Sequence, residues 1–190
     1  MRKSIKRIVS AFVATVSAAT LALTAFAADY FTAPIAPANS HQTSSVTTSE
    51  LKETVATTAK GETVTVTVSS VKTLSITSSV IKALDKADSV LKIEAPKAEI
   101  EIDASTITKV RKVDLSMKIY SSAKRAVVDM RSKKDFGCEV KITLTNCKMS
   151  AEKLAKAHVY CDGEDLGPVE LNEDGLPVIT VTKGGKYEIK

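Results

Sequence analysis

The run Glu62-Thr63-Val64-Thr65-Val66-Thr67-Val68 constrains this chain more than any other feature. Valine occupies every second position and a polar side chain lies between, the period of a strand with one face buried and one in water. In a helix the same valines would be spread around the axis and could not form one face. The texture recurs at residues 71–77, 90–94, 98–102, 113–120, 126–130, 139–145, 157–161, 168–171, 177–182 and 186–189. Eleven short strands separated by turn residues predict a mainly β fold, an antiparallel β-sandwich with one or two short helices.

Two interruptions read as helical. Ser78-Ser79 can cap a segment in which Val80, Ile81, Leu84 and Ala87 fall at helical spacing. A shorter turn over residues 150–156 points Leu154 toward the core. Asp162-Gly163-Glu164-Asp165, Asn172-Glu173-Asp174-Gly175 and Lys183-Gly184-Gly185 read as turns of a C-terminal meander. Residues 61–190 form the expected domain, long enough for a core of its own. Before it, residues 28–60 are rich in Ser, Thr, Ala and Pro and read as a disordered linker, since they bury too little apolar surface to offset chain entropy. A short helix at 50–59 would have little to pack on.

The N-terminus carries a different signal. Arg2, Lys3, Lys6 and Arg7 precede an uncharged, largely apolar stretch over residues 8–23, and Ala25-Phe26-Ala27 follows with small residues flanking a bulky one. That order is the layout of a cleavable secretory signal peptide, which places residues 1–27 in the signal and the mature start near Ala28. Ser10, Thr15, Ser17, Thr20 and Thr24 dilute the stretch below the apolarity of a membrane span. No Cys stands directly after this stretch to take a lipid.

Cleavage nearly neutralises the protein. The chain holds 27 Lys+Arg and 22 Asp+Glu; less the four basic residues of the signal, 23 stand against 22, a balance of +1. A nucleic-acid binder needs a concentrated basic face. The nearest groups are Lys109, Arg111 and Lys112, then Lys124 and Arg125, then Arg131, Lys133 and Lys134, each short and followed by Asp114, Asp129 or Asp135. They read as charges that guard strand edges. No nucleic-acid partner is expected.

Cys138, Cys147 and Cys161 are the three cysteines of the chain. An exported protein meets conditions in which disulfides persist. Cys138 and Cys147 flank one expected strand, about 30 Å apart at ~3.3 Å per residue, too far for a bridge. Strand parity leaves Cys138–Cys161 as the candidate disulfide, on the condition that their strands are antiparallel neighbours. The alternative is three buried thiols acting as small apolar groups. Their spacing matches no zinc pattern, and His41 and His158 are not placed with them.

No residue set specifies a reaction. His41 lies in the linker, His158 sits on an expected strand, and nothing resembles G-x-S-x-G. Glycosidases need two carboxylates facing one groove, whereas Glu99 and Glu101 alternate with Ile100 and Ile102 as on the solvated face of a strand. The acidic turns at 162–165 and 172–175 do not match the D-x-[DN]-x-[DN]-G calcium loop, and Asp, Asn and Gly are ordinary turn residues. Sugar recognition relies on exposed aromatic rings. Beyond the signal the chain offers Tyr30, Phe31, Tyr120, Phe136, Tyr160 and Tyr187 and no Trp.

Residues 79–84, then Leu91-Lys92-Ile93-Glu94-Ala95-Pro96, then Ala98-Glu99-Ile100-Glu101-Ile102-Asp103-Ala104-Ser105 set an order of elements. Val140-Lys141-Ile142-Thr143-Leu144, His158-Val159-Tyr160 with Asp162-Gly163, and Gly185-Lys186-Tyr187-Glu188-Ile189 continue it. In this order residues 77–190 resemble a β-rich module of secreted and surface proteins of Gram-positive anaerobes, often found beside S-layer-homology or dockerin segments. The chain shows no S-layer-homology repeats, dockerin loops or sorting signal of its own.

The resemblance implies a non-catalytic structural or adhesion-type module, secreted, with or without attachment to the wall. Its expected partners are a cell-wall component, a glycan or another surface protein, with no cofactor and no membrane span after cleavage. The alternative is a carbohydrate-binding accessory protein, which predicts at least two of Tyr120, Phe136, Tyr160 and Tyr187 exposed on one face.

Overall fold

The computed structural model describes residues 45–46 and 49–190; the signal segment 1–27 and the linker residues 28–44, with His41, Tyr30 and Phe31, lie outside the described residues. In chain order the elements are β1 (Ser45–Val46), α1 (Ser49–Thr57), β2 (Thr63–Thr67), β3 (Ser75–Ile76), α2 (Ser78–Ala87), β4 (Val90–Ala95) and β5 (Ala98–Asp103). After a single 3-10 turn at Ala104–Thr106 come β6 (Val113–Asp114), β7 (Met117–Ser121), β8 (Ala126–Met130), β9 (Asp135–Thr143) and α3 (Ala151–Leu154). The chain continues through β10 (His158–Cys161), β11 (Glu164–Pro168), β12 (Glu170–Leu171), β13 (Pro177–Lys183) and β14 (Lys186–Ile189).

The fold is mainly β, as the alternation predicts, and of the β-sandwich class. A six-stranded sheet runs β12-β13-β9-β5-β4-β2, a five-stranded sheet β11-β10-β14-β8-β7, and a small third sheet β1-β3-β6. The inward rows of the two large sheets meet in one apolar core. From the first come Leu91, Ile93, Ile100, Ile102, Val140 and Ile142, and from the second Ala126, Val128, Tyr187 and Ile189. Burial of this apolar surface is the main force holding the sheets together.

Two pairs, β2 with β4 and β1 with β3, are parallel, so the arrangement is not purely antiparallel. For β2 and β4 the cause is α2, which lies between them in the chain, and α1 lies between β1 and β3. Parallel neighbours need a long crossover, and a helix supplies it. Val80, Ile81, Ala83 and Leu84 of α2 are buried, and Asp88 closes the helix in the left-handed conformation at φ 48°. Its N-cap is Thr77, one residue before the expected serines.

The folded unit begins earlier than residue 61. Helix α1 packs on α2, with Leu51 only 5% and Val55 0% exposed. The linker expected over residues 28–60 therefore does not include α1, because two apolar residues at i and i+4 share one face and find a partner in α2.

Two expected strands are broken by sheet changes. Over residues 113–120 the chain passes from β6 in the small sheet to β7 in the five-stranded sheet. The corner is held by Ser116, whose N–H donates to Asp114 Oδ1 (3.0 Å) and whose hydroxyl donates to the Leu74 carbonyl (3.2 Å). Residues 164–168 form β11, where a turn was expected to continue through Asp165. The chain then crosses at Val169 to β12 in the other large sheet. Of residues 71–77 only Ser75–Ile76 is strand.

Candidate functional site

The outward row of the five-stranded sheet follows from its register. Tyr120 pairs with Val127, Val127 with Glu188, Glu188 with Tyr160, and Tyr160 with Asp165. Their side chains therefore share the outer face. Glu188 sits among three cations: Lys186 Nζ at 2.7 Å, Lys190 Nζ at 3.7 Å and Arg125 at 3.8 Å. The Lys186 hydrogen bond, with the charges of Lys186, Lys190 and Arg125, holds its carboxyl below the usual range. Lys190 also lies over the Tyr160 ring, 4.4 Å from its centre, in a cation–π contact.

Beside this row, a shallow groove of about 330 Å³ is lined by Lys124, Met149, Glu152, Lys153, Lys156, Ala157 and Lys190. Three separate stretches of chain build it. Lys124 stands in the β7–β8 turn, which Ser122 stiffens by accepting from the N–H groups of Lys124 (3.3 Å) and Arg125 (3.2 Å). Lys153 and Lys156 come from α3 and the turn after it, anchored by buried Leu154. Lys190 follows β14. Lys153 Nζ donates to the Ala123 carbonyl at 2.9 Å and so ties α3 to the β7–β8 turn. Four lysines and one carboxylate, Glu152, thus line it. That composition attracts anions and lacks the carboxylate pair needed for glycoside hydrolysis.

The other residues singled out in the sequence have structural partners. Cys138 lies on β9 and Cys161 on β10, in different large sheets, so the condition for a Cys138–Cys161 bridge is not met; both are buried free thiols, and Cys147 is free and half-buried. Burial pushes the Cys138 thiol up to about 11, with Asp135 adding to it. His158 Nδ1 is 2.9 Å from Asp165 Oδ2, and Asp165 also accepts from the Gly167 N–H at 2.8 Å. Asp162 meets Lys133 (3.3 Å) and accepts from the Lys186 N–H (3.3 Å). Asn172 Oδ1 accepts from the N–H groups of Asp174 (3.1 Å) and Leu176 (2.8 Å). Asp162 and Asp165 of the first acidic turn and Asn172 of the second therefore hold backbone. Among the described residues no group of three or more His, Cys, Asp or Glu is placed to hold a metal ion.

Glu99 and Glu101 lie on the solvated face of β5, paired with Lys92 (2.9 Å) and Lys141 (3.7 Å). Arg111 reaches Asp135. Of the aromatics, Phe136 and Tyr187 are core and the Tyr187 hydroxyl donates to the Lys183 carbonyl at 2.7 Å, whereas Tyr120 is 59% exposed and Tyr160 half-buried.

Sequence reading placed Lys124 in a short basic pair and did not single out Lys153, Lys156 or Lys190. Only the packing of α3 against the β7–β8 turn brings them together. No family model, curated protein or solved structure matches this chain.

Proposed function

We propose that the protein is a secreted, non-catalytic module of the bacterial cell surface or extracellular space, with a structural or adhesion-type role. The observation that carries this reading is the N-terminal order of Arg2, Lys3, Lys6 and Arg7, an uncharged stretch, and Ala25-Phe26-Ala27 ahead of a β-rich domain. Three features support it. The domain presents a broad polar sheet face, the groove described above is shallow and lined mainly by lysine, and Asp165 and Asn172 of its acidic turns serve the fold. Among the described residues no helix is long and apolar enough to cross a membrane. Its partner on this reading is a cell-wall component or another surface molecule of a Gram-positive cell.

A carbohydrate-binding accessory protein is the second reading. Tyr120 and Tyr160 favour it, because the register sets both on the outer face of one sheet. Against it, Phe136 and Tyr187 are core and Lys190 covers the Tyr160 ring.

Co-sedimentation of the purified chain with cell walls tests the first reading. It expects the chain to pellet with the walls at low salt. A chain that stays in the supernatant at every salt concentration would refute wall association.

A further inference from the structure

The geometry points to the groove of Lys124, Lys153, Lys156 and Lys190 as a binding site for a phosphodiester-bearing polymer chain, an inference that rests on the surface-module reading. Like charges gathered in one concavity repel one another, and that arrangement is relieved when an anion enters. Two of the four ammonium groups have local partners: Lys153 donates to the Ala123 carbonyl, and Lys190 shares Glu188 with Lys186 and Arg125. Among the described residues, neither Lys124 nor Lys156 has a carboxylate at ion-pair distance. Around Glu188 three cations face one carboxylate, so the excess of positive charge continues from the groove onto the sheet face.

The residue type bears on the anion. The two-pronged guanidinium of Arg matches planar carboxylates and phosphates alike, whereas Lys is a point charge that binds phosphate oxygens without a matching plane. The groove lining contains lysine and no arginine. It also contains no aromatic ring, only Met149 and Ala157 as apolar contacts, so it lacks the stacking platform with which single-stranded nucleic acid is held. The groove is open along the surface, which suits a flexible chain whose successive phosphates lie across it. A chain of polyol or sugar units joined by phosphodiesters fits these features.

The test compares the full chain with two triple variants of equal charge change. Lys124→Gln/Lys153→Gln/Lys156→Gln strips the groove, and Lys82→Gln/Lys86→Gln/Lys97→Gln removes exposed lysines elsewhere. Each is checked for native melting, then titrated at 50 mM salt with poly(glycerol phosphate), a polygalacturonate of matched charge and a single-stranded oligonucleotide. With four phosphate contacts, affinity of the unsubstituted chain for poly(glycerol phosphate) falls about fifty-fold between 50 and 200 mM salt; with one contact left it falls about threefold. The groove variant is expected to lose at least about tenfold in affinity at low salt and to show the shallow salt dependence, while the other variant keeps both.

Equal losses in the two variants, or no binding by the unsubstituted chain, would overturn the site. Equal or tighter binding of polygalacturonate or oligonucleotide would overturn the assigned ligand. Wall pelleting left unchanged by the groove substitutions would overturn the inference and spare the surface-module reading. Loss of wall pelleting by the unsubstituted chain, with poly(glycerol phosphate) binding intact, would do the reverse.

Discussion

Gly184 needs glycine for lack of space, and replacing it with alanine measures how tightly the two sheet ends are joined. A Cβ on Gly184 would collide with the Ser132 carbonyl oxygen and lie 2.6 Å from its carbon and 3.4 Å from Lys133 N. Backbone, not a side-chain tip, is in the way, so one strand end must move by about an ångström. The contact is also a hydrogen-bonded seam: the Gly184 N–H donates to Lys134 O and the Met130 N–H to Gly185 O, each at 3.0 Å. Overpacking costs about 1–3 kcal/mol, and weakening one such bond adds about 1 kcal/mol. Gly184→Ala should therefore lose about 2–4 kcal/mol, a fall in Tm of roughly 6–12 °C for a domain of this size. Gly175→Ala is the comparison. Its φ of +73° carries a backbone cost of about 1 kcal/mol, and nothing lies within 4 Å of its Cβ. Calorimetric or circular-dichroism melting decides. A Gly184→Ala protein that melts no lower than Gly175→Ala would refute the reasoning.

Three further outcomes follow from the same packing. Val55→Asp places a carboxylate at a fully buried position between α1 and α2 and should cost about 3 kcal/mol or more in urea unfolding, whereas residue 55 in a disordered linker would tolerate it. Cys138, neutral and buried at pH 8, should resist a thiol reagent in the native protein while half-buried Cys147 reacts, and all three thiols should react in denaturant; fewer than three would expose a disulfide. Asp162, Asp165 and Glu188 have carboxyls held low by Lys133, by the Gly167 N–H and by Lys186 respectively. Groups with lowered folded values stabilise the fold above the unfolded carboxylate value of about 4, and that contribution is lost as pH falls through the folded values. Melting temperature should decline below about pH 4, with a shallower slope at high salt because Asp162 and Asp165 are exposed; stability that rises on acidification would contradict the pairings.

Alternating residues were a good guide wherever a strand has one wet face. Val64 and Val66 in β2, Ile100 and Ile102 in β5, and Val140 and Ile142 in β9 all lie where the period sets them. The period is silent on strand direction, and the parallel β2–β4 pair had to be read from the intervening helix. It also runs through corners. Residues 113–120 alternate without a break, yet the chain changes sheets at Leu115-Ser116 because Ser116 bonds Asp114 and the Leu74 carbonyl, a contact 42 residues away in sequence. The groove was not legible for a similar reason: its lysines are contributed by residues 124, 153, 156 and 190, and a scan for local basic runs sees none of them as a group.

The most direct test of the account is the location and N-terminus of the native chain in the cells that make it. Fractions of cytoplasm, membrane, wall and medium are probed for the protein, and its first residue is read by mass spectrometry. The account predicts wall and medium fractions holding a chain that starts near Ala28. A cytoplasmic protein that retains residues 1–27 would contradict it.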